Sequence, residues 1–255
     1  MAIKGVLLDL SGVLYVGENA LPGAVSALES LKHSGMPVRF ITNTTRTPRS
    51  GILLKLERMG LKIPVEALYT APAAVRDVLV ESGLRPWLLV HPNLEEEFQG
   101  FDCNAPNAVV IGDAGESFDY SHLNQAFRLL MGGAEFIAMG NNRYFQEPDG
   151  LSLDIGPFVS ALEYASGRQA VVLGKPARAF FHKAVASMGL EPGEVMMVGD
   201  DLLADVVGAM EAGLRATLVK TGKYRSGDEV SLKGSQAWIE NDIVTVVDRL
   251  VEGMN

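Results

Sequence analysis

The stretch Val6–Leu14, VLLDLSGVL, decides the fold of this chain. An apolar run ends at Asp9 and the chain turns at Gly12, which is how a buried parallel strand delivers a carboxylate to the edge of its sheet. A serine, Ser11, stands two residues after the aspartate. Asp9 is therefore either a catalytic group or a turn-forming aspartate at the end of a strand.

Apolar runs of the same kind alternate with amphipathic helical patterns along the chain. We predict strands within residues 3–10, 37–43, 170–176, 195–201 and 215–222. We predict helices within residues 22–35, 49–60, 178–189, 202–213 and 242–253. Strands that alternate with helices indicate an α/β fold with a doubly wound, Rossmann-like parallel sheet.

The segment between these halves alternates as well, with strand-like runs such as PWLLVHP and NAVVIGD and a helical pattern in GPFVSALEYASG. We interpret it as a second, smaller α/β domain inserted into the first. The predicted domains are a core formed by residues 1–80 and 171–255 and an inserted cap formed by residues 81–170.

The composition of the 255 residues disfavours several classes of partner. A net charge of −9 repels nucleic acid and anionic membrane surfaces. The single cysteine, Cys103, rules out an intrachain disulfide framework, and no run approaches the ~20 apolar residues of a membrane span. The short apolar run at the N-terminus meets an acidic residue and is not typical of a signal peptide. We expect a cytoplasmic protein.

Polar side chains follow the predicted core strands where each strand ends. They are Asp9, Ser11, Thr42, Asn43, Lys175, Asp200, Asp201 and Asp205. Carboxylates that converge repel one another unless a cation compensates them, and Mg²⁺ prefers such oxygen ligands. A carboxylate can also act as a nucleophile towards phosphorus, while a lysine and hydroxyl groups hold phosphoryl oxygens.

Four of these segments, DLSGVL, ITN, GKP and VGDDLLADVVGA, resemble in order the four motifs of the haloacid dehalogenase superfamily phosphatases. The insertion between ITN and GKP resembles their larger α/β cap. The resemblance implies that Asp9 is the nucleophile and that Asp9, the Ser11 carbonyl and Asp200 bind Mg²⁺. It further implies that Thr42, Asn43 and Lys175 bind phosphate.

The same resemblance assigns Asp201 and Asp205 to orienting the metal shell or its waters. Acidic residues near a helix N-terminus also stabilise the helix dipole, so a purely structural role stays open for both. Arg143, in GNNRYFQ, is open between substrate contact and a surface position. No catalytic or metal-binding role is expected for the four histidines.

Ser11 replaces the aspartate that most phosphatases of this superfamily use to protonate the leaving group. A serine hydroxyl is a poor general acid, and such assistance is typically worth ~10²–10⁴-fold in rate. We therefore expect a small, labile phosphorylated substrate: pyrophosphate, a phosphoramidate, an aryl phosphate or an acyl phosphate. Segments such as TAPAAV and KTGKYRSGDE are similar to the phospholysine phosphohistidine inorganic pyrophosphate phosphatases and related hydrolases, which share the serine.

Two other functions are compatible with the same residues. A phospho-ligand binding protein with vestigial catalysis would use the pocket only to hold phosphate. A dehalogenase would leave the metal-binding carboxylates unexplained. Relatives with this cap are often dimers, so the resemblance also implies a homodimer through the cap, with GAEFIAMG as a candidate edge.

Overall fold

The computed structural model describes residues 2–147 and 150–253. Its strands are β1 Gly5–Asp9, β2 Tyr15–Val16, β3 Asn19–Ala20, β4 Val38–Thr42, β5 Leu68–Thr70, β6 Pro86–Leu89, β7 Ala108–Ile111, β8 Glu135–Ala138, β9 Tyr144–Glu147, β10 Gly150–Leu153, β11 Val171–Val172, β12 Val195–Gly199, β13 Arg215–Val219 and β14 Trp238–Glu240. Its α-helices are α1 Ala24–Ser34, α2 Arg49–Arg58, α3 Ala71–Glu81, α4 Tyr120–Met131, α5 Ile155–Ser166, α6 Arg178–Ala186, α7 Gly208–Glu211 and α8 Ile243–Glu252.

Shorter helical segments complete the described chain. A π-helical turn, Leu202–Val207, leads directly into α7. Single 3₁₀ segments span Val65–Ala67, Pro92–Phe98, Gly115–Ser117, Pro192–Glu194 and Asp228–Leu232. None of the helices within the described ranges is long and apolar enough to cross a membrane.

The chain divides into two compact units. The larger unit contains residues 1–42, 50–69 and 175–255, and the smaller unit contains residues 43–49 and 70–174. Compared with the predicted cap at 81–170, the smaller unit includes additional residues on both sides and a separate segment, Asn43–Arg49. That segment follows β4 directly, so no shift in composition marks it in the sequence.

The larger unit is built on a six-stranded sheet in the order β14-β13-β12-β1-β4-β5, with parallel pairing from β14 through β4. β1 is buried along its whole length. Its alternate residues Val6 and Leu8 lie in one apolar cluster with Leu31 of α1 and Val246 of α8. Because helices cover both faces of such a sheet, its strands read as continuous apolar runs. The predicted doubly wound α/β fold is confirmed.

The smaller unit contains a parallel four-stranded sheet in the order β11-β8-β7-β6. Two interpretations of the sequence are wrong here. The run at residues 170–176 is not a core strand, because Val171 and Val172 pair with Ile137 and Ala138 of β8. GAEFIAMG is not an edge, because β8 pairs with strands on both sides. A short apolar run reads the same in either sheet, and only its partners decide where it belongs.

Two short antiparallel hairpins lie outside the predicted elements. β2 pairs with β3, and β9 pairs with β10. The first hairpin has two-residue strands, which are shorter than any window in which periodicity can be recognised. In the hairpin of β9 and β10, the alternating apolar residues Leu151 and Leu153 are exposed. The alternation therefore does not indicate a buried face of a sheet.

Candidate active site

The site lies in the larger unit, at the carboxyl ends of adjacent parallel strands. β1 ends at Asp9 between β12 and β4, and Asp200 follows the end of β12. The register pairs Leu8 with Val198 and Asp9 with Ile41, so the three strands end at the same level. Ligands bind at this edge in open α/β sheets.

Lys175 links two of the predicted acidic residues. Its ammonium donates a hydrogen bond to Asp9 Oδ1, and its Nζ lies 2.7 Å from Oδ1 of Asp205. The exposed fractions of Lys175, Asp9 and Asp205 are only 4%, 7% and 1%. Because a buried charge must be paired, this lysine is part of the site rather than a solvated surface residue.

Asp200 is 2% exposed and lies in a space that two glycines leave open. A Cβ atom on Gly12 or on Gly222 would collide with the Asp200 carboxylate, and both glycines have positive φ, +88° and +60°. The backbone N–H of Lys223 donates a 2.6 Å hydrogen bond to Asp200 Oδ2. The loops after β1 and β13 thus form a close backbone pocket around this carboxylate.

Burial dominates the electrostatics of the three carboxyl groups. It raises the pKa of Asp200 to about 6, although the Lys223 N–H acts in the opposite direction. It also raises the pKa of Asp205 to about 6, with Lys175 opposing and Asp9 reinforcing the shift. The pKa of Asp9 is raised by burial and by Asp200, and Lys175 offsets part of this. The cluster is short of positive charge.

Among the described residues, Lys175 is the only buried cation paired with this cluster. Its pKa shifts in the direction that such pairing predicts. Burial alone would lower its pKa, but Asp205 and Asp9 outweigh burial and raise it. The ammonium therefore stays charged at any pH at which the carboxylates are ionised. One ammonium cannot balance three buried carboxylates.

The cluster fits a divalent cation. Asp9, Asp200 and Asp205 each offer an oxygen, and these atoms lie within 4.8 Å of one another. Oδ1 of Asp205 is buried and lies 2.7 Å from the Lys175 ammonium, which Asp205 shares with Asp9. Oxygen donors and uncompensated negative charge are what Mg²⁺ requires.

Asp201 and Asp205 have different contacts in the structure, although the sequence predicts the same role for both. Oδ1 of Asp201 accepts the N–H groups of Leu203 and Ala204 at 3.1 and 2.9 Å and so caps the π-helical turn. Its Oδ2 lies 3.3 Å from Lys223 Nζ. Burial would raise the pKa of Asp201, but the Ala204 N–H and Lys223 lower it. Asp205 instead lies with Asp9 and Asp200 in the carboxylate cluster.

The other predicted residues have different surroundings. Ser11 is exposed and forms an isolated bridge with Tyr15. Thr42 is buried at the end of β4, beside β1. Asn43 begins the segment that belongs to the smaller unit, where its Oδ1 lies against the backbone of Gly174. The structure thus joins Asp9, Lys175, Asp200 and Asp205 by measured proximity, and the phosphate-binding roles of Thr42 and Asn43 stay predictions.

Sequence reasoning left the loop after β13 without a role. Thr221 Oγ1 donates a hydrogen bond to the Gly12 carbonyl, and Lys223 N–H binds Asp200. The available signal was positional, because Thr221, Gly222 and Lys223 follow the carboxyl end of a core strand as Ser11 and Asp200 do. Such a loop reaches the same sheet edge as the predicted residues.

Arg143 lies in the smaller unit, where it lines an open cavity of about 510 Å³. Tyr144, Pro157 and Ser160 line the same cavity. Substrate contact by Arg143 stays a prediction.

The larger unit is thus a Rossmann-like α/β domain that gathers buried carboxylates and a lysine at the carboxyl edge of its parallel sheet. The family model described as haloacid dehalogenase-like hydrolase matches residues 6–104, and a second, described as HAD-hydrolase-like, matches residues 172–246. This chain belongs to the haloacid dehalogenase-like hydrolase family.

Two relatives match nearly the whole chain. Haloacid dehalogenase-like hydrolase domain-containing protein 2 of Bos taurus is 47% identical over 89% of this chain and 88% of its own. The phospholysine phosphohistidine inorganic pyrophosphate phosphatase of Homo sapiens is 43% identical over 98% of this chain and 95% of its own.

Solved structures agree with the fold. The 4-nitrophenylphosphatase of Thermotoga maritima superposes with a TM-score of 0.88 at 26% identity, covering 96% of this chain and 97% of its own. NagD of E. coli K-12 superposes with a TM-score of 0.86 at 26% identity, covering 96% and 98%. The predicted family, fold class and enzyme class are confirmed.

Proposed function

We propose that this protein is a Mg²⁺-dependent phosphohydrolase that forms an aspartyl-phosphate on Asp9 and acts on small, labile phosphorylated substrates. The observation that carries the proposal is the buried cluster of Asp9, Asp200 and Asp205 paired with Lys175. A cluster with this excess of negative charge suits a reaction that brings a cation and a phosphoryl group together.

Asp9 is the proposed nucleophile. Its carboxylate attacks phosphorus, and the leaving group departs with the electrons of its bond to phosphorus. Water then attacks the phosphorus of the aspartyl-phosphate, releases inorganic phosphate and restores the carboxylate. Lys175 favours the ionised form of Asp9 and, with the Thr42 hydroxyl and the Asn43 amide, holds phosphoryl oxygens as charge develops on them.

Asp9, Asp200 and the main-chain carbonyl of Ser11 are the proposed Mg²⁺ ligands, and Asp205 and Asp201 support this set. When bound, Mg²⁺ neutralises the carboxylates and phosphoryl oxygens that would otherwise repel each other. The ligand from Ser11 is a backbone atom, so its side chain does not affect this role. Gly12 and Gly222 have no side chain and therefore leave room for the Asp200 carboxylate.

The leaving group sets the substrate class. Ser11 is a poor proton donor, and Lys175 stays charged because two carboxylates raise its pKa. The histidines are engaged elsewhere: His33 with the Glu29 carbonyl and His182 with the Ala212 carbonyl in the larger unit, and His91 and His122 with Asn93 and Asp119 in the smaller unit. A substrate whose leaving group needs no proton from an enzyme side chain is favoured. The names of the relatives, with phosphohistidine, pyrophosphate and 4-nitrophenyl phosphate among them, support that class.

Phosphate release from pyrophosphate, 4-nitrophenyl phosphate and phosphoimidazole tests the proposal. We expect turnover with MgCl₂, none with EDTA, and a loss of at least about 10³-fold in Asp9→Asn, because the amide cannot attack phosphorus. An acid-quenched, hydroxylamine-sensitive phosphoprotein should form in the wild type and be absent from Asp9→Asn.

The matched control is Asp248→Asn, which removes an exposed carboxylate on α8 and should retain full activity. Turnover in EDTA or full activity in Asp9→Asn would contradict the proposal. Tight phosphate binding without turnover on any of the three substrates would instead support the phospho-ligand binding protein.

A further inference from the structure

The segment Asn43–Arg49 follows β4, yet it belongs by its contacts to the smaller unit. It carries the Asn43 amide, and residues 43–47 have no regular secondary structure. A ladder of backbone hydrogen bonds therefore does not fix its conformation, and side-chain contacts must do so. These contacts decide how well Asn43 is held.

Arg46 makes the main anchoring contact. Its Nε donates a 2.5 Å hydrogen bond to Oδ2 of Asp113, a residue that follows β7 and is 6% exposed. The other oxygen of Asp113 accepts the N–H of Gly115 at 3.1 Å. The Arg46 guanidinium also lies over the ring of Phe145, 4.8 Å from its centroid. A charge-assisted bond to a fixed carboxylate, with an aromatic ring on one face, leaves this side chain little freedom.

Two further contacts hold the ends of the segment. Arg49 N–H donates a 2.5 Å hydrogen bond to Glu97 Oε1. At the other end, a Cβ atom on Gly174 would lie 2.8 Å from Asn43 Oδ1, so the amide packs directly on this backbone. Gly174 immediately precedes Lys175, the other proposed phosphate-binding residue. The segment is thus held in its middle by Arg46 and at both ends.

We propose that the Arg46–Asp113 pair is a positioning device that holds the Asn43 segment in the conformation that binds the phosphoryl group. The inference rests on the proposed function, because it presumes that Asn43 and Thr42 bind phosphate. Arg46 and Asp113 are positioning residues: they act through Asn43. Catalysis is sensitive to such placement, since a misplacement of 1 Å can cost ~10²-fold in rate.

A double-mutant cycle with Arg46→Ala, Asp113→Asn and the combined variant tests the pair. Each single variant should weaken inorganic phosphate binding in calorimetric titration about tenfold and lower kcat/KM for 4-nitrophenyl phosphate by a similar factor. The combined variant should lose little more than either single one, because both substitutions break the same contact. Mg²⁺ affinity should be unchanged, since the cluster of Asp9, Asp200 and Asp205 is untouched.

The control is Arg85→Ala. Arg85 belongs to the same unit, but its side chain donates to the backbone carbonyls of Asn104 and Ala105. Unchanged phosphate affinity in folded Arg46→Ala, or additive losses in the cycle, would overturn the inference. A wild type that binds phosphate without hydrolysing it would overturn the proposed function alone, because the binding cycle still decides the role of the pair. A wild type that binds no phosphate would overturn both.

Discussion

Asp9 and Ser11 leave the same strand but enter different surroundings. Asp9 is 7% exposed and bonded to Lys175, whereas Ser11 is exposed. A substitution at Ser11 therefore adds a group at an exposed position, two residues from Asp9, without repacking the interior. The two residues can therefore be tested separately. Substitutions at Asp9 test the attack on phosphorus, and substitutions at Ser11 test whether the leaving group receives a proton from this position.

Ser11→Asp should restore a general acid. We expect kcat for a poor leaving group, such as glycerol phosphate, to rise by about 10²-fold. Turnover of 4-nitrophenyl phosphate should change little, because its leaving group needs no proton. Steady-state rates across leaving groups of increasing pKa measure the effect as a flatter dependence on that pKa.

Ser11→Asn is the matched control, since it has nearly the same size as the aspartate variant and cannot donate a carboxylic proton. Equal gains in the two variants would show that the added bulk, and not the acid, changes the rate.

At the scale of elements, the loop after β13 completes the site. Thr221 bonds to the Gly12 carbonyl, Gly222 lies against Asp200, and the Lys223 N–H binds the same carboxylate. Three loops, after β1, β12 and β13, thus hold one another through the Thr221 hydroxyl, the Asp200 carboxylate and backbone groups. Because the Lys223 N–H, Gly12 and Gly222 all contact the Asp200 carboxylate through the backbone, the loop conformation itself fixes Asp200.

Gly222→Ala should displace Asp200. A methyl group there would collide with the Asp200 carboxylate, and an L-residue is strained at a φ of +60°. We expect the Mg²⁺ concentration for half-maximal activity to rise at least about tenfold, measured by metal titration.

Gly83→Ala is the control that distinguishes backbone strain from crowding of the Asp200 carboxylate. Gly83 has the same φ of +60°, and no atom lies within 4 Å of the position of its Cβ. It should be destabilised by about 1 kcal/mol and keep its Mg²⁺ requirement. Equal Mg²⁺ requirements in the two variants would contradict the crowding of Asp200.

At the scale of the whole molecule, the buried carboxyl groups of the site destabilise the metal-free protein. Asp200 and Asp205 have pKa values of about 6, above the ordinary value of 3.8. For an acid whose folded pKa is raised, the native state binds more protons than the unfolded state between these values. Their contribution to stability is therefore present below about pH 4 and is lost as the pH rises through about 6. On the proposed function, we expect Mg²⁺ binding to the ionised groups to restore it.

Asp200→Asn tests this linkage. Without metal at pH 7.5 the variant should have a Tm about 5 °C above the wild type, because a buried charge is removed and an amide oxygen can still accept the Lys223 N–H. At pH 4 the difference should vanish. Mg²⁺ should raise the Tm of the wild type more at pH 7.5 than at pH 5.5, and should leave the variant unchanged. Calorimetric melts in EDTA or MgCl₂ measure each value, and a metal-free wild type that melts above the variant at pH 7.5 would contradict the linkage.

The sequence by itself determined the α/β class and the strand ends that carry Asp9 and Asp200. Buried parallel strands must be continuously apolar, and their carboxyl ends meet at one edge, so local pattern suffices for these features. The pattern could not assign Val171–Val172 to its sheet, because pairing depends on residues distant in the chain.

Only the tertiary structure decided which carboxylates meet. Asp201 and Asp205 look alike in sequence, yet the first caps a turn and the second lies in the cluster with Asp9 and Asp200. The π-helical turn at Leu202–Val207 sets that difference, and no residue pattern in the sequence predicts this turn. The same holds for Arg46 and Asp113, whose pairing across 67 residues depends on folding of the smaller unit. Contacts between side chains distant in sequence are decided by packing, and packing exists only in the folded chain.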